Sequence, residues 1–298
     1  MSSTPVPGLR DMPEPETRTL DAPGVTLTYD VRGAQGDVTP LLMFGSPMDA
    51  GGFATLASHF TDRPVVTYDP RGTGRSARTD GGGETTPDAH ADDIHRIIAA
   101  LGAGPVDMFA TSGGAINAFA LVAEHPEQVR TLVAHEPPIA EVLPDAEQVV
   151  AACRDMYDTY QRSGRGPAMA KFMQFVMWDG PLPADYLDRP APDPAQFGMS
   201  AEDDSSRDDP LLGQNMRTCV PYHADYDALA AASTRIVVVA GEESGRQEPA
   251  RAAAGVAERL GLELTMFPSH HGGFLGGEYG MPGKPEEFAA ALRRALDG

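Results

Sequence analysis

Short, unbroken apolar runs recur along this chain, and they limit its fold more than any other feature. They are PLLMF (40–44), PVVTY (64–68), PVDMFA (105–110), TLVAH (131–135) and RIVVVA (235–240). A strand with one wet face alternates apolar and polar residues, whereas an unbroken run suits a strand buried on both faces. VTLTYDV (25–31) does alternate and reads as a half-buried strand leading into a turn through Gly33 and Gly36. Helical patterns lie between the runs. Thr86 and Pro87 read as N-cap and first turn, with Asp88 near the helix dipole. Ile94, Ile97, Ile98 and Leu101 then fall on one face, and Gly102 closes the helix. AINAFALVAEH (115–125) is apolar nearly all round and reads as a buried central helix. Residues 246–260 and 285–296 add further helices. The expected fold class is α/β, with a mostly parallel central sheet and helices on both faces.

A chain of 298 residues, 41% of them hydrophobic, holds one large core or two smaller ones. Its net charge of −20 argues against nucleic acid and acidic membrane surfaces as partners and fits high solubility. Oligomeric state is left open. Cys153 and Cys219 make no disulfide framework and read as buried free thiols. The Pro-rich start lacks the apolar core of a secretory signal. No run approaches the roughly 18 apolar residues that span a bilayer. A cytoplasmic location is the default expectation.

The organisation reads as an extended arm over 1–20, a core over 21–140, an insertion over 141–220 and a second core part over 221–298. The insertion has helical patterns near 145–163 and 167–178. An acidic, Pro-rich stretch without apolar period follows, as expected of a lid or binding loop.

Four segments carry candidate chemistry. In VDMFATSGGAINAFA (106–120) a strand runs straight into a helix with Ser112 at the corner, flanked by the small residues Ala110 and Gly114. Such a bend exposes a strained nucleophile, and the helix start offers it unpaired N–H groups. The plainer alternative is a serine helix cap. VVTYDPRGTGRSAR (65–78) holds Gly72-Thr73-Gly74, but no helix pattern follows, so no dinucleotide cofactor is expected. LLMFGSPMDAGGF (41–53) ends a strand in a Gly-rich loop that can aim an N–H at an oxyanion. LELTMFPSHHGGFLGG (262–277) places His270 and His271 after the last strand, where a base can reach a serine on the same sheet edge. The histidine spacings match no zinc site, so no metal is expected. His59, His90, His95, His125 and His223 read as solvated or locally bonded.

Taken in this order, the four segments resemble the α/β-hydrolase superfamily from about residue 25 to the C-terminus, thinly across 141–220. The resemblance implies Ser112 as nucleophile and His271 as base, since His271-Gly-Gly-Phe matches the family pattern better than His270 does. It implies oxyanion donors at the N–H groups of Ser46 and Gly113, and a helical cap within 141–220. Phe44 stands where many members have histidine, and Ser244 stands where members usually have the triad aspartate. Two readings of the acid follow: Glu136, held by Pro137-Pro138 after the preceding strand, or Glu242 or Glu243 in the loop of Ser244. The resemblance implies a cofactor-free serine hydrolase whose partner is a small-molecule substrate, a small or medium ester, lactone or thioester. Met156, Tyr157, Phe172, Met173, Phe175 and Trp178 either line an apolar pocket or form the cap's own core. Other expected uses of the same site are perhydrolase, acyl transferase, lyase or cyclase chemistry. A non-catalytic binding protein on this scaffold is the reading from a different class.

Overall fold

The computed structural model describes residues 14–33 and 38–298. Strands β1 (Glu16–Ala22), β2 (Val25–Arg32), β3 (Leu41–Ser46), β4 (Val65–Asp69), β5 (Val106–Ser112), β6 (Val129–His135), β7 (Arg235–Gly241) and β8 (Thr265–Phe267) form one sheet. Their order is β1-β2-β4-β3-β5-β6-β7-β8. The pairs β1–β2 and β2–β4 are antiparallel, and every pair from β4 to β8 is parallel. The expected strands are therefore present, and β1 adds one where the sequence reads as an arm. Its ETRTLDA sequence is polar because β1 is an edge strand, exposed or half-buried throughout. The remainder of the expected arm, residues 1–13, and Gly36 of the expected turn lie outside the described residues.

The helices are α1 (Ala54–Ser58), α2 (Pro87–Leu101), α3 (Gly113–Glu124), α4 (Ala146–Ser163), α5 (Arg165–Val176), α6 (Met216–Thr218), α7 (Tyr226–Ala231), α8 (Glu248–Leu260) and α9 (Pro285–Asp297). The unbroken run in β3 shows why both sheet faces must be covered. Leu42 and Phe44 pack with Ile94 and Ile97 of α2 and Phe119 of α3. Leu41 and Met43, pointing the other way by strand alternation, pack with Leu56 of α1 and Phe288 and Leu292 of α9. Helix α2 starts as its sequence requires: the Thr86 side chain accepts the Ala89 N–H, and Gly102 ends it at φ 62°. Helix α3 lies close on β3, because a Cβ on Gly114 would stand 2.8 Å from the Gly45 Cα.

Between β6 and β7 the chain leaves the sheet. Helices α4 and α5 bury Val149, Cys153, Met156 and Phe175 between them, with Phe172 and Trp178 packed against this cluster. Asp145 fastens the pair to the core. Its carboxylate takes the Arg251 guanidinium of α8 at 2.6 and 3.0 Å and the Leu182 N–H at 2.7 Å. The acidic stretch that follows holds short 3-10 turns at Tyr186–Asp188 and Pro194–Phe197, then a π-turn at Leu211–Asn215. Cys153 and Cys219 are buried free thiols. No helix among the described residues is long and apolar enough to cross a membrane.

Candidate active site

Parallel strands bring their carboxyl ends to one sheet edge, and every candidate group sits there. Register pairs Ser46 with Ser112, Thr111 with His135, and Gly241 with Phe267. Ser112 is the last residue of β5 and the cap of α3, at φ 56° and ψ −133°. A non-glycine residue in this region carries strain of order 1–3 kcal/mol. The strain comes from turning a strand into a helix within one residue, and it leaves Ser112 half-buried at the corner. Gly113 opens α3, so its N–H has no partner within the helix. A Cβ on Gly113 would lie 2.8 Å from the Ser46 carbonyl oxygen. The two residues that would supply the candidate oxyanion donors thus approach each other closely.

The loop after β4 supports this arrangement. The Asp69 carboxylate accepts the Ala50 N–H at 2.9 Å, the Arg75 N–H at 2.7 Å and the Arg75 guanidinium. A Cβ on Gly74, at φ 53°, would stand 2.6 Å from Asp69 Oδ2. The glycines of YDPRGTGRS therefore let the chain wrap Asp69, and no helix follows until Pro87.

Glu136 follows β6 at φ 46° and is fully buried. One carboxylate oxygen accepts from His271 Nδ1 at 2.5 Å and the other from the Gly241 N–H at 2.8 Å. Burial works to raise its pKa, but the hydrogen bond and charge of His271, with the charge of His135, hold it at about 2. An ionised carboxylate can only accept, so Nδ1 carries a proton, and in the neutral form of the ring it is Nε2 that holds the lone pair. Of the other candidate acids, Glu243 binds Lys284 at the surface and Glu242 is exposed; neither is a hydrogen-bond partner of His271 among the described residues. Ser244 is buried in the same loop. His270 turns elsewhere and accepts the Gly272 N–H at 3.0 Å.

His271 is about one-third exposed and stacks on His135, with ring centroids 5.7 Å apart. His135 is wholly buried, bonded through Nδ1 to the Thr111 hydroxyl at 2.8 Å. Burial, opposed by the Glu136 charge and aided by His271, lowers its pKa to about 4, so this neighbour is neutral at pH 7.

Some expectations need correction. His90 is neither solvated nor bonded through Nδ1: it is buried, and among the described residues that nitrogen has no partner. Met156, Phe172, Phe175 and Trp178 belong to the cluster between α4 and α5, which is the second of the two readings the sequence left open. The cavity that Met156 and Phe175 edge is only about 30 Å³, room for about one water. Tyr157 is covered by the Arg217 guanidinium at 4.4 Å. A larger cleft of about 500 Å³ adjoins the loop after β3 instead and mixes polar and apolar lining, including Ser46, Arg71, Arg78, Gln214 and Asn215. Asn215 is a site residue that the sequence did not reveal. Its Nδ2 lies 3.1 Å from Ser46 Oγ, and it sits in a stretch without apolar period, 169 residues away. Among the described residues no group of three or more His, Cys, Asp or Glu is placed to hold a metal.

A family model described as the alpha/beta hydrolase fold matches residues 41–187. The uncharacterized hydrolase YraK of Bacillus subtilis is 28% identical over 86% of this chain and 89% of its own. A hydrolase from Pseudomonas aeruginosa superposes with a TM-score of 0.67 at 20% identity, covering 95% of this chain and 98% of that one. A thermophilic esterase from Thermogutta terrifontis superposes with a TM-score of 0.63 at 20% identity, covering 96% and 98%.

Proposed function

Because the chain belongs to the α/β-hydrolase superfamily, we propose that it is a serine hydrolase working through Ser112, His271 and Glu136. Its substrates are small or medium esters, lactones or thioesters. The observation that carries this reading is the ionised, buried Glu136 bound at 2.5 Å to His271, on the sheet edge where Ser112 is held at φ 56°. The esterase among the structural relatives supports the choice of ester chemistry.

The reaction follows from the donor and acceptor roles. His271 Nε2 takes the Ser112 proton as the hydroxyl oxygen attacks the substrate carbonyl carbon. The imidazolium so formed is stabilised by Glu136, which also fixes the ring. The N–H groups of Ser46 and Gly113 receive the charge that develops on the carbonyl oxygen. His271 then returns the proton to the leaving group. It next takes a proton from water as the water attacks the acyl-enzyme, and passes it to Ser112 Oγ as the acyl–oxygen bond breaks. Helices α4 and α5, rooted beside Glu136, serve as a cap that excludes bulk water.

A fluorophosphonate probe tests the reading. Wild-type protein should be labelled at Ser112, and Ser112→Ala and His271→Ala should not. Wild-type protein that stays unlabelled under native conditions would refute it. Labelling without turnover of a chromogenic acyl ester would instead point to non-hydrolytic use of the same serine.

A further inference from the structure

The π-turn Leu211–Asn215 delivers one polar side chain to the proposed oxyanion site. A turn of this kind widens the helix by one residue, a distortion found frequently at functional positions. Here it ends on Asn215, which is 5% exposed. Its Nδ2 lies 3.1 Å from Ser46 Oγ, and its Oδ1 lies 3.5 Å from the same hydroxyl. Asn215 Nδ2 also stands 2.9 Å from the place a Cβ on Gly113 would occupy. One amide group thus touches both loops whose N–H groups are assigned to the oxyanion. Glycine at 113 is what admits it, since any side chain there would meet Asn215 and the Ser46 carbonyl together.

An amide nitrogen carries two hydrogens. One is directed to Ser46 Oγ. Among the described residues the other has no protein acceptor. We propose that Asn215 is a third polar element of the oxyanion site, holding the Ser46 loop with one N–H and offering the other to the substrate carbonyl oxygen as it becomes negative. This rests on the serine-hydrolase reading given above. It also gives the insertion a part in the chemistry, because Asn215 comes from the chain returning from α4 and α5 to the sheet. Where that return segment is not seated, the oxyanion site lacks a donor.

The test separates transition-state from ground-state binding. Asn215→Ala and the near-isosteric Asn215→Asp are compared with wild type on a 4-nitrophenyl acyl ester. An alkyl boronic acid serves as a mimic of the tetrahedral intermediate. The expected result for Asn215→Ala is a kcat lower by on the order of a hundredfold with KM within about twofold. Boronic acid affinity should fall in parallel with kcat, and fluorophosphonate labelling of Ser112 should slow by a similar factor. Asn215→Asp, which keeps the shape but sets a carboxylate beside the developing charge, should lose at least as much. Both variants should remain folded at the assay temperature, with Asn215→Asp melting lower because its carboxylate is buried. Labelling and kcat left within about threefold of wild type in both variants would overturn the proposal. So would a loss confined to KM, or one that tracks only a lower melting temperature. Wild-type protein that fails to label would overturn the serine reading itself, and this proposal with it.

Discussion

Replacing Glu136 with glutamine keeps the shape of the side chain and removes its charge. The structure sets the size of the effect. Glu136 is pulled from an ordinary pKa near 4.5 to about 2 against the opposing influence of burial. That displacement corresponds to about 3 kcal/mol favouring the ionised form. The side chain is 1% exposed, so solvent screens little of it. Most of this attraction comes from His271, and it matters most in the transition state, when that ring is a full cation. Losing about 3 kcal/mol there lowers kcat by on the order of a hundredfold. A glutamine amide that donates to Nδ1 would also hold the wrong tautomer, extending the loss toward about 10⁴-fold. Steady-state hydrolysis of a chromogenic ester at pH 7.5 is the assay, with KM expected within about twofold of wild type. A Glu136→Gln enzyme that keeps kcat within about threefold would refute the reasoning. A larger loss in Glu242→Gln or Glu243→Gln would move the acid to the other loop.

Other consequences follow from the packing. Glu248, wholly buried at the start of α8, has its pKa raised to about 8, chiefly by burial and against the Arg251 charge. The folded protein then holds a proton that the unfolded chain has lost between about pH 4.5 and 8, so this group's contribution to stability declines as pH rises through that window. Urea midpoints at pH 5 and 8.5 should show that decline in wild type and a flatter profile in Glu248→Gln; parallel profiles would rule the account out. Asp145→Asn leaves the Arg251 guanidinium without its buried partner and should reduce stability by about 3 kcal/mol, read by urea unfolding. Gly114→Ala forces α3 away from β3 and should lower stability by about 1–3 kcal/mol; an unchanged melting temperature would mean the two elements separate easily.

What the sequence made legible divides along physical lines. The parallel sheet was readable because strands buried on both faces must be apolar throughout, and Leu41 to Phe44 feed two different clusters in turn. The bend at Ser112 was readable because a buried strand passes into a buried helix with small residues on either side. Strand β1 was not, because an exposed edge strand such as ETRTLDA places no apolar demand on its residues. The contact of Glu136 with His271 joins residues 135 positions apart and needs the sheet to form, so only likeness to a family pointed to it. Asn215 and His90 were hidden for related reasons. Asn215 sits in an irregular stretch shaped by tertiary contacts, and the isolation of His90 Nδ1 depends on neighbours that no local pattern records.

Glu136 is the first residue beyond β6, on the short segment that leads into the insertion. In this chain the proposed acid and the insertion that begins at 141 share the short Pro-containing segment after β6. A fold that takes its acid from the loop after β7 can exchange one lid for another during gene recombination without disturbing its charge relay partner. Here any splice made at the end of β6 would shift the carboxylate too. Crossovers between relatives should survive when they fall beyond Pro138, and fail when they cut between His135 and Pro137.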